Sequence, residues 1–191
     1  STKYDGNTVR DYRILGDVNL FSVGTNTPST NRWFFEPYIV SETMTLDRVA
    51  IEVTTAGAAG KLARLSLYTA DDYWQPETLI QDFGTVATDV GAVPTLQIIT
   101  LSPTLTIPPG RYIGVWIQDG GATFRTINAY SNGMNALAAV GSTTPIRAQF
   151  QSVNGSGTVA SGFAAVNPKW ERDLYTTVGN VPYFMRFREI V

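Results

Sequence analysis

The 191-residue chain contains no cysteine and no histidine. Without cysteine there is no disulfide, no thiolate metal site and no cysteine nucleophile. Without histidine the usual general base, the usual proton shuttle and the commonest zinc ligand disappear together, and a Ser–His–Asp triad is excluded. Charge is also scarce: charged residues make up 16% of the chain, lysine is nearly missing, and the net charge is −2. The 14 basic residues are mostly arginines scattered singly. No basic run therefore offers the phosphate-neutralising surface that nucleic acid requires. No apolar run approaches the ~20 residues of a membrane-spanning helix, so no membrane insertion is expected, and no signal peptide is visible. The chain opens on Ser1 without a methionine, as expected of a processed or excised product.

What remains is rich in Thr, Ser, Gly and Val, a composition that points to an all-β protein. The stretch Thr43–Tyr68 organises the reading. Val49, Ile51 and Val53 share one parity while Arg48, Ala50, Glu52 and Thr54 take the other; Ala63, Leu65 and Leu67 likewise alternate with Arg64, Ser66 and Tyr68. Period-two patterning predicts two strands with one apolar and one polar face. The Gly- and Ala-rich segment Thr54–Gly60 between them reads as the turn of a β-hairpin. Met44 and Leu46 lie on the opposite parity from Val49, which predicts a bulge near Asp47-Arg48.

Elsewhere, residues 1–30 are polar and turn-rich and read as an N-terminal arm or connector, or equally as a surface strand of the same domain. Residues 31–191 form the main domain. Asn31–Val40 is an aromatic strand in which Pro37 marks an edge or bulge. Leu79–Val86 is a short strand broken by Gly84. Leu96–Leu101, apolar on both parities, is predicted to be a central strand covered on both sides. Pro109-Gly110 has the chemistry of a type II turn. Ile113, Val115 and Ile117 then alternate with Gly114, Trp116 and Gln118, leaving Trp116 either under a crossing loop or facing another subunit. After a strand over Ala122–Ala129 the pattern weakens from Tyr130 to Gly179, where loops with a short helix or hairpin are expected and Arg147–Gln151 is the best strand candidate. Val181–Ile190 closes the chain as one strand, with Tyr183, Met185 and Phe187 inward and Arg186 and Arg188 outward, paired with carboxylates across the sheet. Eight to ten short strands without a long amphipathic helix predict an antiparallel β-sandwich, jelly-roll-like.

The ordered set of Phe35-Glu36-Pro37-Tyr38, Thr43–Leu46, Val49–Val53, Arg64–Tyr68, Pro76–Ile80, Gly84-Thr85-Val86 and Leu105–Tyr112 resembles the β-sandwich module of tail-fibre and other virion surface proteins of tailed bacteriophages. The similarity covers about Phe35 to Ile117. The resemblance implies location on a virion surface, at a tail fibre or head appendage. It also implies host attachment, other virion proteins as partners and a homotrimer. It supplies no catalytic residue.

Aromatic rings beside planar polar groups are what a saccharide platform needs. Two stretches fit: Tyr73 and Trp74 with Asp71, Asp72 and Gln75, and Trp170 with Tyr175, Glu171, Arg172 and Asp173. Each has an ordinary alternative. Trp74 can fold back beside Pro76 to plug the end of the sandwich, and Trp170 can pack in the core or at a subunit contact. Asp71, Asp72 and Asp89 are calcium candidates without the regular D-x-D-x-D-G spacing, and no cofactor or metal is expected. A glycosidase needs only two suitably spaced carboxylates, but no signature singles out a pair. The leading expectation is a non-catalytic receptor-binding module for a cell-surface glycan. A structural virion component and a polysaccharide-degrading enzyme are the alternatives.

Overall fold

The computed structural model describes residues 9–13, 20–129, 151–156, 158–160 and 181–190. Among them there is no helix, and twelve strands form two antiparallel sheets packed together. The first sheet contains β1 (Val9–Arg13), β2 (Leu20–Asn26), β4 (Met44–Thr55), β7 (Thr95–Ile107), β9 (Thr123–Ala129), β11 (Val181–Tyr183) and β12 (Arg186–Ile190). The second runs in the order β10 (Gln151–Ser156), β3 (Arg32–Val40), β8 (Gly110–Gln118), β5 (Leu62–Ala70), β6 (Pro76–Ala87).

The pairing is nested: β5 with β6, β4 with β7, β3 with β8, and β2 with β9. A ribbon of nested antiparallel pairs folded across two layers is a jelly roll. Among the described residues, β5 and β6 are the only consecutive strands hydrogen-bonded to each other. Strands β1 and β2, from within the sequence's N-terminal thirty residues, join the first sheet through β12 and β9.

The expected β4–β5 hairpin is corrected by this topology. The two strands lie in different sheets, and the segment between them crosses from layer to layer. Its backbone bonds run to other loops, Gly57 N–H to Thr88 O at 2.8 Å and Ala58 N–H to Gly120 O at 3.0 Å, beside one internal turn bond from Lys61 N–H to Ala58 O at 3.2 Å. Alternation told which face of each strand is apolar; it could not tell whether two apolar faces lie side by side or face each other. The second reversal is corrected in the same way. Pro108 and Pro109 carry the chain from β7 to β8 in the opposite sheet. Among the described glycines positive φ belongs to Gly60, Gly84 and Gly121, not to Gly110.

The bulge does fall where parity broke. Leu46 and Arg48 pair with consecutive residues Glu189 and Arg188 of β12, leaving Asp47 as the extra residue. Gly84, at φ +88°, sits where β6 pairs Gly84 and Asp82 with consecutive residues of β5, so the glycine permits a bulge within one long strand instead of breaking it. The expected central strand Leu96–Leu101 belongs to β7, whose backbone pairs with β4 and which leaves Ile98 43% exposed. The strand buried on both faces is β8 instead. Its Tyr112 and Trp116 face the other sheet, and its Ile113, Val115 and Ile117 face outward into a second apolar cluster with Trp33, Phe35, Tyr68, Trp74 and Val159.

The inter-sheet core is built on Leu46, Val49, Ile51 and Val53 of β4, Leu65 and Leu67 of β5, and a group of aromatic rings around Trp116. Trp116 stacks on Phe34 at 4.9 Å and meets Phe184 edge-on at 4.7 Å and Phe124 at 5.3 Å. Such ring pairs add to the area they bury. Trp116 is thus a core residue, under neither a loop nor a neighbouring subunit.

Candidate functional site

The loop between β5 and β6, Asp71–Gln75, is the one tight hairpin turn in the nested ribbon, and it lies at the end of the sandwich where β7 passes into β8. Asp71 builds it. Its Oδ1 accepts the N–H groups of Tyr73 and Gln75, both at 2.8 Å. Its backbone N–H donates to Gln75 O at 3.0 Å, and its carbonyl accepts from Trp74 N–H at 3.1 Å. A short side chain that bonds its own downstream backbone is the usual means by which aspartate fixes a turn. Trp74 sits at φ +61°, a region rare for a side chain of this size, and the Asp71 bonds on either side of it enforce that conformation.

The left-handed residue sends the two aromatics in opposite directions. Trp74 turns inward, 5% exposed, and joins the outer apolar cluster of the second sheet. Tyr73 stands in solvent, 80% exposed. Of the two rings predicted as a saccharide platform, Trp74 is therefore the plug and Tyr73 the accessible face. Arg111, the second residue of β8, joins the loop from the side: its guanidinium lies 5.7 Å from the centre of the Trp74 ring, and one of its amino groups pairs with Asp72. Cation and ring attract through the ring quadrupole. Asp72, well exposed, keeps its other oxygen toward solvent on the same rim as Tyr73.

The site as presented is a phenol ring on a clamped loop, flanked by the Asp72–Arg111 pair and the backbone of Gln75. It can stack one face of a flat apolar surface and offers a carboxylate and a guanidinium beside it. Trp170 and Tyr175 lie outside the described residues. Asp89 is elsewhere: its Oδ2 accepts from Gly60 N–H at 2.7 Å at the opposite end of the sandwich. Among the described residues no group of three or more acidic side chains converges in a way that could hold a metal ion.

Two residues of consequence escaped the sequence reading. Arg111 reaches Asp72 across 39 positions, a distance only the strand pairing closes. Glu36 is fully buried between the sheets, yet the sequence did carry a signal, because it shares inward parity with Phe34 and Tyr38. Its carboxylate accepts from Trp116 Nε1 (2.8 Å), Phe184 N–H (3.0 Å), Met185 N–H (3.2 Å) and the Tyr38 hydroxyl. Burial pushes its pKa up to about 7 against the opposing pull of these four donors.

Compared with protein-family models and with curated proteins, the sequence matches none.

Proposed function

We propose that this chain is a virion-surface recognition module of the tailed-phage type, which uses its jelly-roll body as a rigid stand and Tyr73 at the rim to stack against a saccharide of the host cell surface. The exposure of Tyr73 on a loop locked by Asp71 carries the reading. A loop backbone held by its own turn loses little freedom on binding, so less of the contact is spent on ordering the loop. Asp72 and Arg111 beside it supply the planar polar groups that saccharide hydroxyls seek. The virion assignment comes from the ordered motifs between Phe35 and Ile117. The module acts by binding rather than by catalysis.

The test is binding to host cells and to a glycan array by wild type and Tyr73→Ala. Wild type is expected to bind, and Tyr73→Ala to lose most of that binding at an unchanged melting temperature. Full retention in the variant overturns the assignment of Tyr73.

A structural virion component, a head or tail decoration, is the second reading, favoured by β7. This 13-residue strand carries no charged residue and exposes Ile98, the sort of edge that assembly covers. The homotrimer that goes with the first reading is tested by sedimentation equilibrium at micromolar concentration, and a monomer removes it.

A further inference from the structure

Four arginines of the described residues gather around β4 and β12 on the outward face of the first sheet, although the chain as a whole is acidic. Arg48 of β4 pairs directly with Arg188 of β12, and Arg186 stands two residues along the same face, opposite Ala50. Arg125 of β9 completes the group. Among the described residues, Asp47 and Glu52 pair with these four guanidinium groups, and Arg188 has a further contact besides. Glu52 is shared between Arg186 (3.0 Å) and Arg125 (3.2 Å). Asp47, the bulge residue, gives both oxygens to Arg188, with Nε at 2.8 Å, and meets Arg48 only at 4.0 Å. Like charges directly opposite across a strand pair destabilise a sheet unless a counter-charge sits between them.

The group also has a hydrogen-bonding deficit. The Nε atoms of Arg48 and Arg186 are both withdrawn from solvent and have no hydrogen-bond partner. A buried donor left unmade costs free energy, and one on a cation costs more. Arg48 and Arg186 are diagonal neighbours on adjacent strands, a separation of roughly 7–8 Å between backbones that long side chains bridge easily. Ala50 between them is fully buried, so the neighbouring side chains close over it. All four arginines are partly recessed, with side chains 16–35% exposed. A recessed cluster of forked donors, in which Arg48 has no close carboxylate and the Nε–H groups of Arg48 and Arg186 go unserved, is short of acceptor oxygens.

The geometry points to an oxyanion-binding site on this face, centred on Arg48 and Arg186, that takes a carboxylate, sulfate or phosphate group either free or as a substituent of an acidic saccharide. Guanidinium groups bind such anions in paired, charge-assisted hydrogen bonds. The site lies on the opposite layer from Tyr73, so its existence does not depend on that residue's role.

The experiment is thermal melting of the full chain in sodium sulfate, sodium phosphate, sodium glucuronate and a polyuronate, each against sodium chloride at matched ionic strength. At least one of these anions is expected to raise the melting temperature beyond chloride and to saturate. Arg48→Gln removes the arginine with no close ion pair, and is expected to weaken the anion roughly tenfold or more, the usual scale for a charge-assisted contact. Arg48→Lys keeps the charge without the fork and is expected to lose most of the affinity as well. Titration calorimetry on that variant reads the same loss should Arg48→Gln fold poorly. Saturation by the inorganic anions alone assigns a free anion; saturation by glucuronate or polyuronate assigns a saccharide substituent. No shift beyond chloride with any of the four, or unchanged affinity in both variants, overturns the site.

Discussion

Glu36 on β3 accepts the backbone N–H of Phe184 at 3.0 Å, although 148 residues separate them. The bond spans the two sheets at the point where the final segment divides into β11 and β12. The expected single closing strand fails there because the N–H groups of Phe184 and Met185 turn away from the sheet to the carboxylate. Glu36 thus replaces two ladder bonds and ties the last strands to β3.

Replacing Glu36 by Gln is expected to destabilise the fold by about 1–3 kcal/mol, the cost of a buried donor without an acceptor. Each Glu36 oxygen serves one backbone N–H, so the new amide nitrogen faces a donor that cannot turn round, whichever way it is placed. Glu36→Ala leaves all four donors unserved and is expected to cost more. Urea denaturation of both variants checks the order.

Stability is expected to fall as pH rises from about 4.5 to about 7, then to level off. Folding raises the Glu36 pKa from 4.5 to about 7, so within this window the folded chain keeps a proton that the unfolded chain has already lost. Unfolding releases that proton, and the loss over the window is on the order of 3 kcal/mol. Asp47 acts in the opposite sense. Its bond to Arg188 holds its carboxyl below the ordinary 3.8, so its contribution is present above that value and disappears as pH falls through the folded pKa. Denaturation midpoints from pH 3 to 8 should therefore peak at about pH 4–5, the interval between the two effects. The fall above the peak should vanish in Glu36→Gln.

Gly114 lies directly opposite Glu36 in the β3–β8 pair. A methyl group at this position would overlap Met185 Cε and stand 2.9 Å from Tyr38 Cε2. The glycine leaves the space in which the Tyr38 hydroxyl and the Met185 N–H meet the carboxylate. Gly114→Ala is expected to cost about 1–3 kcal/mol through overpacking, with a lowered melting temperature as its readout. Gly60→Ala meets nothing within 4 Å but sits at φ +72°, so backbone strain alone should lower its stability.

The sequence displayed which strands exist more clearly than how they pair. Alternation in Val49–Val53 and Ala63–Leu67 located β4 and β5, and the parity switch at Leu46 located the Asp47 bulge. Both are local properties of one strand. Layer assignment is not local: it depends on whether a loop returns to its own strand, as Asp71–Gln75 does, or bonds to distant loops, as Gly57 and Ala58 do. Apolar residues on both parities misled at Leu96–Leu101 because Thr95–Ile107 lies at the border of its sheet, paired with β4. The same pattern at Ile113–Ile117 marks a strand with clusters on both sides. At the rim, the aromatic pair was legible, while the opposite orientations of Tyr73 and Trp74 follow from one backbone angle that no pattern encodes.

That angle supplies the final prediction. Asp71→Ala removes the acceptor for Tyr73 N–H and Gln75 N–H together, and with it the bonds that hold Trp74 at positive φ. The expected loss is about 1–3 kcal/mol, the sum of two modest hydrogen bonds. Asp71→Asn keeps a side-chain oxygen at the same place and should retain most of the difference. Two readings of the loop then diverge under amide hydrogen exchange. If Asp71 alone holds the turn, exchange in Asp71→Ala accelerates at Tyr73, Trp74 and Gln75 while Leu65 and Leu67, in the core of β5, stay protected. If the buried Trp74 ring and the Arg111 guanidinium over it hold the turn instead, those amides stay slow and Arg111→Ala releases them.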